Sequence, residues 1–229
     1  MTEFKGQQPQ PAHVLVQRLL DALPQTQCTR CGYPDCAAYA QAIATGNVPI
    51  NQCPPGGAEG VARLATLTGQ PVQPLNPENG VEGPRQVAWI DENWCIGCTL
   101  CIKACPIDCI IGSHKRMHTV IEPQCTGCEL CVPACPVDCI HLDNVTGAQT
   151  GWAAWSPEQA ESARLRYEQT RTRRQRAKQE RVDRLEKEAA HTLAHLPELT
   201  KNAQGTELER KRAIVEAALA RARAKRDQA

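Results

Sequence analysis

Cys95-Ile96-Gly97-Cys98-Thr99-Leu100-Cys101-Ile102-Lys103-Ala104-Cys105-Pro106 is followed, thirty residues on, by a second copy of its own pattern. That copy is Cys125-Thr126-Gly127-Cys128-Glu129-Leu130-Cys131-Val132-Pro133-Ala134-Cys135-Pro136. Cysteines stand at 2-2-3 spacing in both, each run closes on proline, and residues 95–139 hold ten of the fourteen cysteines. Three cysteines this close wrap one face of an iron–sulfur cube, and the fourth, unable to bend back, ligates the other cube. The pattern therefore predicts one set of Cys95, Cys98, Cys101 and Cys135, and a second of Cys125, Cys128, Cys131 and Cys105. Gly97 and Gly127 precede the second cysteine of each copy, where a tight ligand loop needs the positive φ that glycine tolerates. Pro106 and Pro136 end each short helical turn.

This is the spacing of bacterial two-cluster ferredoxins. Four-cysteine zinc is the competing reading, but zinc knuckles join two Cys-x2-Cys pairs through a longer loop. Composition agrees with a metal-held fold. Aromatic residues make up 3% of the 229 and Phe occurs once. Cores this poor need staples such as clusters. Disulfides are the other use of fourteen cysteines. No signal peptide is visible, and clustered Cys-x2-Cys in a non-secreted chain points to metal in a reducing compartment.

A further group lies upstream, in Cys28-Thr29-Arg30-Cys31-Gly32-Tyr33-Pro34-Asp35-Cys36, with Cys53 following. A helix over Ala37–Thr45, ended by Gly46, can swing the chain round and return Cys53 to the first three. Pro54-Pro55-Gly56-Gly57 forces a turn, and Ala58–Leu67 reads as a second helix. Cys28, Cys31, Cys36 and Cys53 are expected to hold a third 4Fe–4S cluster, with zinc as the alternative on ligand type alone.

The flanks complete an α+β reading. Residues 1–10 read as disordered, and Pro11–Leu23 as a short amphipathic packing helix. The N-terminal 4Fe–4S domain spans 11–69. A proline-rich linker covers 70–85. The two-cluster ferredoxin domain spans 86–147, with strands at Val87–Asp91, Ile110–Ile111, His118–Glu122 and Ile140–Leu142. A basic helical tail covers 156–227. Its first helix opens on Ser156-Pro157-Glu158-Gln159, a capping box. It runs to about His195 with Tyr167–Arg181 solvated. Thr206-Glu207-Leu208-Glu209, a second capping box, opens the second, which runs to about Arg226. Val182, Leu185, Ala189, Leu193 and Leu196 face Leu208, Val215, Leu219 and Ala222 in an antiparallel hairpin. No helix is apolar over the roughly 20 residues a membrane span needs.

Charge is uneven. Residues 1–150 carry 8 Lys/Arg against 13 Asp/Glu, and residues 151–229 carry 18 against 12. An acidic redox module suits steering toward a basic partner patch. The tail's arginines are interleaved with acids and lack stacking aromatics, so a partner-binding or solvated helix outweighs nucleic acid or an anionic lipid surface. Lys115 and Arg116 read as a solvated turn or a docking point for an acidic redox partner. His114, His118 and His141 read as surface or packing residues, since Rieske ligation pairs Cys with His on one cluster. Cys109 and Cys139 read as buried thiols or as reserve ligands. No nucleophile triad, phosphate loop or dinucleotide fingerprint is present, so the chain is expected to move electrons without a catalytic site of its own.

Cys95 to Cys101, Met117-His118-Thr119-Val120-Ile121 and Cys125 to Cys131 together resemble the RnfB/RsxB iron–sulfur component of the Rnf/Rsx electron-transport complex. Cys28-x2-Cys31-Gly32-Tyr33-Pro34-x-Cys36 with Cys53-Pro54-Pro55-Gly56-Gly57 resembles that family's other iron–sulfur domain. The likeness covers roughly residues 13–147. It implies three 4Fe–4S clusters and one-electron relay, serving a membrane complex that joins ferredoxin and NAD chemistry to ion movement. Family members usually begin with a hydrophobic anchoring helix, and none is seen here. The expectation is a cytoplasmic relay, at most peripheral on the inner membrane, whose partners are a redox donor, a redox acceptor and other components of such a complex. The rival is a zinc- or cluster-stabilised scaffold whose tail binds protein, nucleic acid or membrane.

Overall fold

The computed structural model describes residues 12–46, 48–200 and 204–227. The expectation for residues 1–10 lies outside them. Helices are α1 (Ala12–Asp21), α2 (Cys36–Ala44), α3 (Gly57–Thr68), α4 (Leu100–Ala104), α5 (Pro157–Ala194), α6 (Leu196–Leu199) and α7 (Thr206–Asp227). Strands are β1 (Gln86–Ile90), β2 (Ile110–Ile111), β3 (Thr119–Val120) and β4 (Ile140–Asn144). The chain divides into two units, Met1–Thr170 and Arg171–Ala229. Among the described residues no helix is long and apolar enough to cross a membrane.

The strands pair across the repeat. β1, which leads into the first cysteine run, is antiparallel to β4, which leaves the second, with Gln86 opposite Asn144 and Ile90 opposite Ile140. β2 and β3 pair likewise, Ile110 opposite Val120. Alternation puts Ala88 and Ile90 on one face with their partners Leu142 and Ile140, in the core with Ile107, Ile110 and the cysteines. Outside, Trp89 stacks on its cross-strand partner His141 at 4.6 Å. The strand expected over 118–122 is only Thr119–Val120, because Pro123 ends it in a 3-10 turn over Glu122–Gln124.

Upstream, α1, α2 and α3 bury Leu19, Leu23, Tyr39, Ile43, Val61 and Leu64 together. Asp35 caps α2: its Oδ1 accepts from Ala38 N–H at 2.7 Å. Tyr39 donates its hydroxyl to Pro49 O (2.9 Å) and accepts from Gln52 N–H (3.1 Å), fixing the segment that delivers Cys53. The proline-rich 70–85 segment is itself tied down. Asn79 Nδ2 donates to Arg30 O (2.9 Å), and Glu82 accepts from Ala58 N–H (2.8 Å) at the start of α3, where the helix dipole favours a carboxylate. Thr150 Oγ1 donates to the same Glu82 carboxylate (2.7 Å), and Trp152 Nε1 donates to Ala22 O (3.1 Å).

The Ser156 capping box forms as expected: Gln159 N–H donates to Ser156 Oγ (3.2 Å) and Ser156 N–H to Gln159 Oε1 (2.9 Å). The start of α5 is not solvated as its charge suggested. Tyr167 hydroxyl donates to Asp35 Oδ2 (2.9 Å), and buried Thr170 donates to Asp108 Oδ2 (3.0 Å). Within Arg171–Ala229, Glu186 binds Arg223 Nε (3.1 Å) and Arg226 Nη1 (2.8 Å), closing α5 and α7 as a hairpin over Val182 and Leu219. Leu185, expected on that seam, is largely exposed. A 4-3-4 spacing through Val182, Glu186, Ala189 and Leu193 turns Glu186 inward instead. The second helix takes Thr206 as its first residue, after Gly205 at φ 56, rather than as its cap.

Asp35 serves α2 and Tyr167 with its two oxygens. Asp35→Ala is expected to cost about 1–2 kcal/mol, read as a lower urea midpoint, and Asp35→Asn, which keeps one acceptor, less.

Candidate functional site

The cysteines gather into three groups. A small cavity is lined by Cys125, Cys128 and Cys131 from the second motif together with Cys105 and Cys109 from the first. The first motif's fourth cysteine thus sits with the second motif's triplet. In the mirror arrangement, Cys139 Sγ lies 3.5 Å from Cys135 Sγ and also touches Cys95. Cys101 feels the charges of Cys98 and Cys95. The upstream thiols form the third group: burial foremost, then the charges of Cys36, Cys28 and Cys31, pushes Cys53 up. Burial drives the Cys36 thiol up likewise.

The donor set has a definite chemistry. Burial pushes Cys101 up to about 11 and Cys128 and Cys131 up to about 12, with neighbouring cysteines adding to the rise. Such thiols resist ionising together unless a cation is shared among them. N–H groups point at the sulfurs. Ala88 N–H reaches Cys125 Sγ at 3.4 Å, His118 N–H reaches Cys95 Sγ at 3.4 Å, and Cys109 N–H reaches Cys105 Sγ at 3.4 Å. The Cys109 thiol, 3.4 Å from Cys105 Sγ, is the foremost cause that draws Cys105 down to about 7 and Cys125 to about 6. Among the described residues no three His, Cys, Asp or Glu side chains converge closely enough for a single metal ion. Zinc would hold each thiolate at about 2.3 Å. Sulfur donors alone, lining a cavity and met by N–H groups, fit an iron–sulfur cluster better than a single ion.

All three loops share one backbone turn. Gly97 and Gly127 stand at φ 67, and the residue two positions later, Thr99 or Glu129, at φ 66 or 64. Upstream, Gln27 takes the glycine's place at φ 54 and Thr29 follows at φ 61. No glycine stands there to mark the turn in advance. A non-glycine in this region costs roughly 1–2 kcal/mol, met here by buried contacts: Gln27 Oε1 accepts from Cys36 N–H at 3.0 Å. The glycines also permit close approach, since a methyl at 127 would overlap Gln86 O and one at 97 would overlap Arg116 N.

The upstream group adjoins the second-motif group. Thr126 Oγ1 donates to Thr26 O (3.1 Å), Arg30 pairs with Glu129 (2.5 Å), and Cys128 feels the charge of Cys28. Around the first-motif loop Trp94, Ile96, Leu100 and Met117 are exposed. Of the histidines set aside as surface or packing residues, His114 is exposed and His141 stacks on Trp89. His118 differs: it is 1% exposed, with Nδ1 3.3 Å from Cys101 Sγ. Its lone place between charged and apolar residues carried no periodic signal to mark it. Cys109 and Cys139 are both buried.

A family model described as a 4Fe-4S dicluster domain matches residues 88–142, and one described as a putative Fe-S cluster matches residues 23–55. Relatives carry the name of the B component of the ion-translocating oxidoreductase complex. One from Azoarcus sp. strain BH72 is 61% identical over 109 residues, 48% of this chain and 60% of the relative. One from Thiobacillus denitrificans is 57% identical over 107 residues, 47% of this chain and 57% of the relative. One from Alkalilimnicola ehrlichii is 55% identical over 144 residues, 62% of this chain and 76% of the relative. The chain thus spans under two thirds of the first two and about three quarters of the third. No solved structure matches it.

Gly127→Ala forces both an unfavourable φ and an overlap with Gln86 O. It is expected to destabilise the cysteine-rich region by on the order of 1–3 kcal/mol, read as faster loss of bound iron to a chelator than in the parent protein.

Proposed function

Since the chain belongs to the RnfB/RsxB family of ion-translocating oxidoreductase components, we propose that it is an electron-transfer protein relaying single electrons through three 4Fe–4S clusters. The crossed cavity carries this reading, for Cys105 stands with Cys125, Cys128 and Cys131 as a two-cluster ligand plan requires. The proposed sets are Cys28, Cys31, Cys36 and Cys53; Cys95, Cys98, Cys101 and Cys135; and Cys125, Cys128, Cys131 and Cys105. When bound, a 4Fe–4S cluster takes up and returns one electron without making or breaking a bond to a substrate.

The protein's own part is positional and electrostatic. Ala88, Cys109 and His118 aim backbone N–H groups at ligand sulfurs, favouring their anionic form. Ile107, Ile110 and Val87 exclude water from the dicluster core. Thr26, Arg30, Thr126 and Glu129 hold the upstream set beside the second-motif set, so the relay runs from the upstream set through the second-motif set to the first-motif set. Exposed Trp94, Ile96, Leu100 and Met117 frame the far end, where a redox protein would dock. The relatives' name supports other components of a membrane oxidoreductase complex as partners, with this chain as a peripheral, cytoplasmic-face member.

Anaerobically purified protein is expected to carry about twelve irons and as much sulfide, and to bleach with dithionite. Cys105→Ala should remove about four irons, and Cys109→Ala none. A zinc-loaded colourless protein, or equal loss from both variants, would count against the assignment.

A further inference from the structure

The two halves of the dicluster region differ at a buried position that lies against the sulfurs. Seven residues before the first cysteine of each motif stand Ala88 and His118. Their backbones act alike: Ala88 N–H meets Cys125 Sγ and His118 N–H meets Cys95 Sγ, each at 3.4 Å. The matching bonds Asp91 N–H to Cys139 O (2.8 Å) and Ile121 N–H to Cys109 O (2.7 Å) keep the same symmetry. Only the side chains part. Ala88 offers a methyl, whereas His118 brings Nδ1 to 3.3 Å from Cys101 Sγ.

The ring is held there. It is buried, and Gly112, at φ 151, lies so close that a methyl would overlap its Cδ2. Its Nε2 is buried without a hydrogen-bond partner among the described residues. An unpaired buried polar atom is costly, and plain packing would be served better by an aliphatic side chain. Among the described residues the imidazole's polar contact is the sulfur.

We propose that His118 is a positioning residue that donates Nδ1–H to the ligating sulfur of Cys101. It thereby raises the reduction potential of the cluster held by Cys95, Cys98, Cys101 and Cys135, with no counterpart at the other dicluster site. This rests on the ligand assignment proposed above. A ligating thiolate only accepts, so Nδ1 carries the hydrogen. Reduction adds one electron from a one-electron donor and breaks no bond. The added negative charge strengthens the donated bond, which favours the reduced state.

The test is a potentiometric titration of the full, cluster-loaded chain followed by electron paramagnetic resonance, with dithionite as reductant. In His118→Leu one couple should fall, its oxidised-to-reduced ratio at fixed potential moving on the order of tenfold, equivalent to about 59 mV for one electron. The other couples should stay in place and iron content should match the parent. His118→Asn, which keeps a donor N–H, should restore much of the shift. Unmoved potentials with full iron in His118→Leu would overturn this inference and leave the ligand assignment standing. A parent protein without clusters would overturn the assignment itself. A readout independent of folding variants is spin-echo modulation in parent protein labelled with nitrogen-15 histidine. One reduced cluster should show the labelled coupling, and its absence overturns the inference.

Discussion

A fourth cysteine that cannot turn back to its own neighbours is the constraint on which the dicluster region is built. In the ligand plan proposed for the 2-2-3 spacing it would serve the opposite site, and neither half would complete a site alone. The strands obey the same rule: β1 pairs with β4 and β2 with β3, each sheet taking one strand from either half. Cys105 lines the cavity of Cys125, Cys128 and Cys131, and Cys135 lies against Cys139, which also touches Cys95. A short sheet of two residues, such as β2 with β3, would not persist by its own hydrogen bonds. It is held because Ile110 and Val120 pack in the core with Ile107 and the cysteines.

Burial and charge then act against each other. Burial raises the Cys131 thiol while the Cys109 thiol draws Cys105 and Cys125 down, and ligation would require all of them as thiolates. N–H donors from Ala88, Cys109 and His118 offset part of that cost, and bound iron would offset the rest. The folded protein and its metal content are therefore coupled. A sequence this poor in aromatic residues has few other means of filling a core. Cys109 and Cys139 follow the same logic: each fills a small apolar space while lying against a ligand sulfur.

The upstream domain reaches a similar loop by different means. Its helices supply a conventional core around Tyr39 and Leu64, and its ligand turn uses Gln27 and Thr29 at positive φ where the other loops begin on glycine. The strain is tolerable because Gln27 is buried and bonded to Cys36 and Gln25. The segment 70–85, which reads as a linker by its prolines, is bound along its length through Asn76, Asn79 and Glu82. Those bonds, with Arg30–Glu129 and Thr126–Thr26, set the upstream cysteines next to the second-motif group.

By itself the sequence determined the repeated cysteine spacing, the glycines that free the loops and the helix boundaries at Gly46 and Ser156. It did so because each is a local matter of φ, capping or ligand reach. Only the tertiary structure decided which buried groups face the sulfurs. His118 read as a surface or packing histidine, Leu185 as a seam residue and Tyr167 as part of a solvated helix. Their environments depend on partners far along the chain: Cys101 for His118, Asp35 for Tyr167, and the arginines of α7 for Glu186, which displaces Leu185. Contacts of that separation leave no periodic trace, since the energy that fixes them comes from packing and desolvation rather than from neighbours in sequence.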